Sequence, residues 1–159
     1  MSSSWYSGQG PGFAPAYQVA GVPFVTSSVA QQANAVGEVL RISFPYVTKN
    51  IAIKNIGTVS LRVAFTKSGS YAAGQRDPDS GGALRPATYE SNYFLIPPCS
   101  GGGSGEADAP PTIFDVRCKE IFFRSNSAGT DAEFSLYAAL TGVEEFPVIT
   151  GSNGFKGVG

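Results

Sequence analysis

The chain has 159 residues, enough for one domain with a full hydrophobic core and short of two. Charged side chains make up only 14% against 42% hydrophobic, a balance that suits faces covered by neighbours better than a free monomer. Eleven basic and 12 acidic residues leave a net charge of −1, which argues against direct nucleic-acid binding. The small basic cluster Arg117, Lys119 and Arg124 is interrupted by Glu120 and preceded by Asp115.

Residues 1–35 read as an N-terminal arm. Ser, Gly and Pro alternate with isolated Trp5, Tyr6, Phe13, Tyr17 and Phe24, and no period of 2 or 3.6 persists. A loose leader is one reading. Disordered segments are typically poor in aromatics, however, so an extended arm docked on another subunit fits this composition better. The start Met1-Ser-Ser-Ser-Trp5 has neither the positive region nor the apolar core of a secretory signal.

A domain is expected over 36–142. In Glu38–Phe44 the residues Leu40, Ile42 and Phe44 alternate with Val39, Arg41 and Ser43, and Pro45 ends the run. Ile51 and Ile53 alternate with Ala52 and Lys54. After a turn at Asn55–Thr58, Val59, Leu61, Val63 and Phe65 face one way and Ser60, Arg62, Ala64 and Thr66 the other. The period of 2 predicts strands with one buried face. The stretch 67–92 is a long polar loop with many Gly and Pro. Its Asp77-Pro-Asp-Ser-Gly81 run could suggest calcium, but the further ligands of a calcium loop are missing and a turn cluster is the simpler reading.

Tyr93–Ile96 is a short strand closed by Pro97-Pro98. The Gly/Ser-rich stretch 100–111 has no Lys-Ser/Thr after its glycines, so it is not a phosphate cradle. Thr112–Ser125 carries two strand-like pieces whose alternation falters at Lys119-Glu120, where a β-bulge would restore the phase. Glu133–Leu140 is the cleanest strand, with Phe134, Leu136, Ala138 and Leu140 inward. A Gly-rich tail, 143–159, carries Phe146 and Phe155.

Strands are thus predicted near 38–44, 50–54, 59–66, 93–96, 112–118, 121–125 and 133–140, with one more near 22–27. About eight antiparallel strands with short turns define an all-β class, and a single jelly-roll sandwich with extended N- and C-terminal arms is the expected architecture.

Catalytic chemistry is hard to build from these residues. The sequence contains no histidine, which removes Ser-His-Asp and Cys-His nucleophiles and most catalytic metal sites. Two cysteines, Cys99 and Cys118, cannot supply a four-ligand zinc site. A disulfide between them is one option, and two buried thiols in a reducing compartment the preferred one. Glu144 and Glu145 are adjacent, and adjacent strand side chains point apart, so they do not form a glycosidase pair. No stretch approaches the ~18 consecutive apolar residues of a membrane span. No enzyme activity, no cofactor, no metal and no stable membrane insertion are therefore expected.

The run Asn50-Ile-Ala-Ile-Lys-Asn-Ile-Gly57 followed by Leu61-Arg-Val-Ala-Phe-Thr66 resembles a strand pair of penton proteins from large icosahedral double-stranded DNA viruses of the iridovirus and algal-virus type. So does Val116-Arg-Cys-Lys-Glu-Ile-Phe-Phe123 followed by Phe134-Ser-Leu-Tyr-Ala-Ala-Leu-Thr-Gly142. The resemblance covers residues 38–142 and leaves out the arm and the long loop. It implies a single jelly roll that forms a homopentamer plugging each five-fold capsid vertex, with no catalytic residues. It further implies a virion capsid protein, assembled in the host cytoplasm and bound to neighbouring major and minor capsid proteins. A head-to-tail ring gives each subunit two different contact faces, and Trp5, Tyr6, Phe13, Tyr17 and Phe155 are the expected subunit-contact residues. The alternatives are a minor capsid or cement protein and a carbohydrate-binding jelly-roll module, the latter stacking a sugar on Tyr71 or Tyr89.

Overall fold

The computed structural model describes residues 21–33, 39–72, 75–77, 83–84, 91–99, 110–150, 153–155 and 157–158. Among these, regular structure is almost entirely antiparallel β: β1 Pro23–Ala30, β2 Leu40–Ser43, β3 Thr48–Asn55, β4 Leu61–Ala64, β5 Arg76–Asp77, β6 Ala83–Leu84, β7 Phe94–Ile96, β8 Thr112–Phe114, β9 Glu120–Ser125 and β10 Ala132–Leu140. The exception is a single 3-10 turn at Ser68–Ser70. None of the described helices is long and apolar enough to cross a membrane.

Eight strands form two four-stranded sheets, in the orders β1-β10-β3-β8 and β2-β9-β4-β7, while β5 and β6 pair separately within the long loop. Most successive connections carry the chain from one sheet to the other; β4 to β7 stays within the second. Strand β1 lies inside the range read as an arm, so the chain joins the fold at about residue 21. There the backbone of Gly21 passes so close to the Leu140 carbonyl that a Cβ would overlap it, and the Leu140 amide donates to the Val22 carbonyl at 3.1 Å.

The period of 2 explains the core. Strand β10 alternates buried Phe134, Leu136, Ala138 and Leu140 with Glu133, Ser135, Tyr137 and Ala139, and β3 buries Ile51 and Ile53 beside it. Facing them across the sandwich are Ile42, Leu61, Val63, Ile121 and Phe123. Phe123 and Phe134 stack between the sheets with centroids 4.2 Å apart. Interdigitated inner faces of this kind carry most of a sandwich's stability, at roughly 25 cal/mol per Å² of apolar surface removed from water.

Three local expectations are corrected. The first is the one-face burial of the strand around residues 59–66. Val59 to Phe65 do turn inward, yet Arg62, Ala64 and Thr66 are buried as well, because residues 67–72 and Tyr93 lie over the outer side of β4. The second is the bulge at Lys119-Glu120. The phase break there is the passage of the chain from β8 in one sheet to β9 in the other, with Cys118 and Ile121 both buried on arrival. A register shift falls instead between Ala139 and Leu140, which pair with Asn50 and Thr48. Lys49 is the extra residue, and its insertion lets both Thr48 and Ile51 face inward.

The third concerns the thiols. Cys118 is buried, Cys99 is only partly so, and no disulfide joins them. Buried polar side chains lock the connections. Thr48 Oγ1 donates to the Val116 carbonyl at 2.7 Å and accepts from the Cys118 amide at 3.0 Å, tying β3 to the crossing segment. Asn55 Nδ2 donates to the Val59 and Pro97 carbonyls at 2.8 and 3.1 Å, fixing the end of β3 against the end of β7.

Candidate functional site

The two sheets present outer faces of opposite character. On the outer face of β2-β9-β4-β7, Val39, Ala64, Tyr71 and Phe122 form a second apolar cluster, with Tyr93 against it. Within it Arg62 and Arg124 stand directly opposite each other on β4 and β9, only 5% and 3% exposed. Each guanidinium lies over a tyrosine ring at 4.7 Å, Arg62 over Tyr93 and Arg124 over Tyr71. Neutral acceptors hold them. Arg62 donates from Nε to Asn126 Oδ1 at 2.8 Å and from Nη1 to Gln75 Oε1 at 2.6 Å, and Arg124 donates from Nη2 to the Ala33 carbonyl at 2.8 Å.

Burial pushes the Arg62 guanidinium below its ordinary range. The Tyr93 phenol works in the opposite sense, and the adjacent Arg124 charge adds to the lowering. Two charges this close and this dry are costly unless fully hydrogen-bonded and stacked. Their geometry is therefore that of a latch: Gln75 and Tyr71 from the long loop, Tyr93 from its far end and Ala33 from the β1–β2 connection all converge on two side chains of one sheet.

On the outer face of β1-β10-β3-β8 the register places Val25 beside Tyr137, Tyr137 beside Ala52, and Ala52 beside Ile113. This apolar row crosses all four strands, a span of ~14 Å at the usual strand spacing. Its members are open to solvent: Val25 is 69% exposed, Ile113 64% and Tyr137 44%. Val29 and Val22 are exposed further along β1 and just before it. The edge strand β1 bears no charge, although charges are the usual protection of an exposed edge. Lys54 and Glu133 belong to rows beyond Ile53 and Phe134, toward the far end of the sheet.

A cavity of about 530 Å³ lies where the C-terminal segment passes the sandwich, lined by Phe65, Phe122, Phe146, Pro147, Val148 and Ile149 over Cys118. The segment is held there by Lys119 Nζ donating to the Glu144 carbonyl at 2.5 Å and by the Val47 amide donating to the Val143 carbonyl at 2.8 Å. Thr66 Oγ1 donates to the carbonyl of Val158. Burial pushes the Cys118 thiol up to about 11, against the opposing effect of its contact with Thr48, so it stays protonated at neutral pH.

Of the expected contact residues, Trp5, Tyr6, Phe13 and Tyr17 lie outside the described residues, as do Tyr89 and Asp79. Phe155 is half-buried, its amide donating to the Thr150 carbonyl at 3.2 Å. Tyr71 is fully buried beneath Arg124, so its ring is not open to a sugar. Sequence reasoning passed over Val25, Tyr137 and Ile113. The signal was there: each is apolar or aromatic at a strand position whose parity points away from the core.

Comparison of the chain with protein-family models, with curated proteins and with solved structures returned no match.

Proposed function

We propose that this chain is a structural capsid protein, a single jelly roll whose homopentamer closes the five-fold vertices of an icosahedral virus. The observation that carries the proposal is the strand order. Two four-stranded antiparallel sheets ordered β1-β10-β3-β8 and β2-β9-β4-β7 support a double Greek key reading, the plan of jelly-roll domains. Fold alone does not fix function, and two further features support the assembly reading. A histidine-free sequence offers little for catalysis, so the role is structural rather than enzymatic. An apolar row left open on a charge-poor sheet is the kind of surface that marks protein contact.

In this reading the terminal segments are arms that grip neighbouring copies and the surrounding major and minor capsid proteins. The ring is head-to-tail, each copy offering different surfaces on its two sides. No nucleic acid is bound directly. Native mass measurement on the purified chain tests the proposal. A species of five chain masses, with five-fold rings in electron micrographs, is the expected result. A monomer or trimer would turn the reading toward a cement protein. Strong selective binding on a glycan array would turn it toward a carbohydrate module, whereas a vertex plug is silent there.

A further inference from the structure

From the open apolar row we infer its occupant: the outer face of β1-β10-β3-β8 receives residues 1–20 of a second copy of this chain, with aromatic side chains of that segment laid across Val25, Tyr137, Ala52 and Ile113. The inference rests on the assembly reading above and adds to it the receiving surface.

Three observations carry it. The first is chemical match. The row is apolar and aromatic, and the first charged side chain of the whole sequence is Glu38, so residues 1–20 bring Trp5, Tyr6, Phe13 and Tyr17 with no charge to desolvate. The second is reach. Twenty residues extend to about 66–72 Å, several times the ~14 Å width of the row and enough to cross to an adjoining sandwich.

The third is direction. At Val22 the chain still runs beside β10, held by the Leu140 amide, and at Gly21 it lies flush on the Leu140 carbonyl. The described chain therefore ends in line with β1, at the end of the sheet and not over its own outer face. A tethered segment would normally favour its own chain through effective concentration, so this direction is what selects a second copy. Gly21 is required for it, because any side chain there would push the strand off Leu140.

Trp5 is the single tryptophan and reports the contact directly. In the assembled full-length protein its emission should be blue-shifted and shielded from acrylamide. The double variant Val25→Ser, Ile113→Ser changes two exposed side chains, so circular dichroism should be unaltered while Trp5 emission moves to that of the urea-unfolded chain. The deciding experiment refolds this full-length variant together with copies that lack residues 1–20 but keep the native face. Trp5 is then present only on the chains with the altered face, and renewed shielding in the mixture is the expected result.

Trp5 that is shielded in the native protein but stays exposed in the mixture would overturn the choice of a second copy. An intact oligomer whose Trp5 is equally accessible with or without Val25→Ser, Ile113→Ser would overturn the inference while leaving the assembly reading in place. A monomeric native mass would overturn that reading itself, and the inference with it.

Discussion

The two outer faces of this sandwich began with the same problem and reached different ends. Behind β4 and β9, Ala64 and Phe122 are covered by the chain's own long loop, and the cover is secured by Arg62 and Arg124 stacked on Tyr93 and Tyr71. Behind β10 and β3, Tyr137 and Ala52 are flanked by Val25 and Ile113 and nothing among the described residues covers them. The contrast teaches that burial in a β-sandwich is a property of connections as much as of strands. A face becomes core when a loop carries the right aromatic residues back over it, and stays open when none does.

That contrast can be broken experimentally, and the largest effect is expected on the closed face. Phe122→Ala removes a ring that is 8% exposed and anchors the second cluster, and should cost about 3 kcal/mol in urea unfolding. A cost below ~0.5 kcal/mol would mean that the loop does not close this face. Next come the arginines. Arg124→Met deprives the Ala33 carbonyl of its donor and Tyr71 of its cation, with an expected loss of about 1–3 kcal/mol. Because Arg62 and Arg124 repel across the strand pair, each single change also relieves that repulsion, so Arg62→Met together with Arg124→Met should cost more than the sum of the two single losses. The departure, about 0.5 kcal/mol or more, is read from a double-mutant cycle.

Cys118 provides a probe of the interior between the faces. Its thiol is raised from 9.0 to about 11 in the fold, so the unfolded chain releases the proton first as pH rises. The stabilisation is complete below pH 9 and is lost between pH 9 and about 11, which urea melts across that window will show. Thiol titration at pH 8 should leave Cys118 unmodified until the chain unfolds. The smallest effect belongs to the open face: in a chain lacking residues 1–20, Tyr137→Ser should shift stability by no more than about 0.5 kcal/mol, since its ring is already 44% exposed.

Much of this fold was legible as parity. Phe134, Leu136, Ala138 and Leu140 announce β10 by alternation alone, as do Ile51 and Ile53 in β3, because one side of each strand meets the core. The burial of Arg62 and Ala64 was not legible. It depends on Tyr71 and Tyr93, whose positions over β4 are set by the path of a loop and not by any local pattern. The extra residue at Lys49 was hidden because a bulge leaves no composition of its own, while the break at Lys119-Glu120 is a change of sheet that parity cannot distinguish from a bulge. The aromatics of the N-terminal segment are readable from composition. The open row proposed to receive them is not, since Val25, Tyr137, Ala52 and Ile113 come together only through the register of four strands that are distant in sequence.

The most direct test is hydroxyl-radical footprinting of Tyr71, Tyr93 and Tyr137, comparing the full-length protein with a chain lacking residues 1–20. The account predicts that Tyr71 and Tyr93 stay protected in both, while Tyr137 is protected in the full-length assembly and becomes several-fold more reactive when the segment is removed. Equal reactivity of Tyr137 in the two proteins would contradict it.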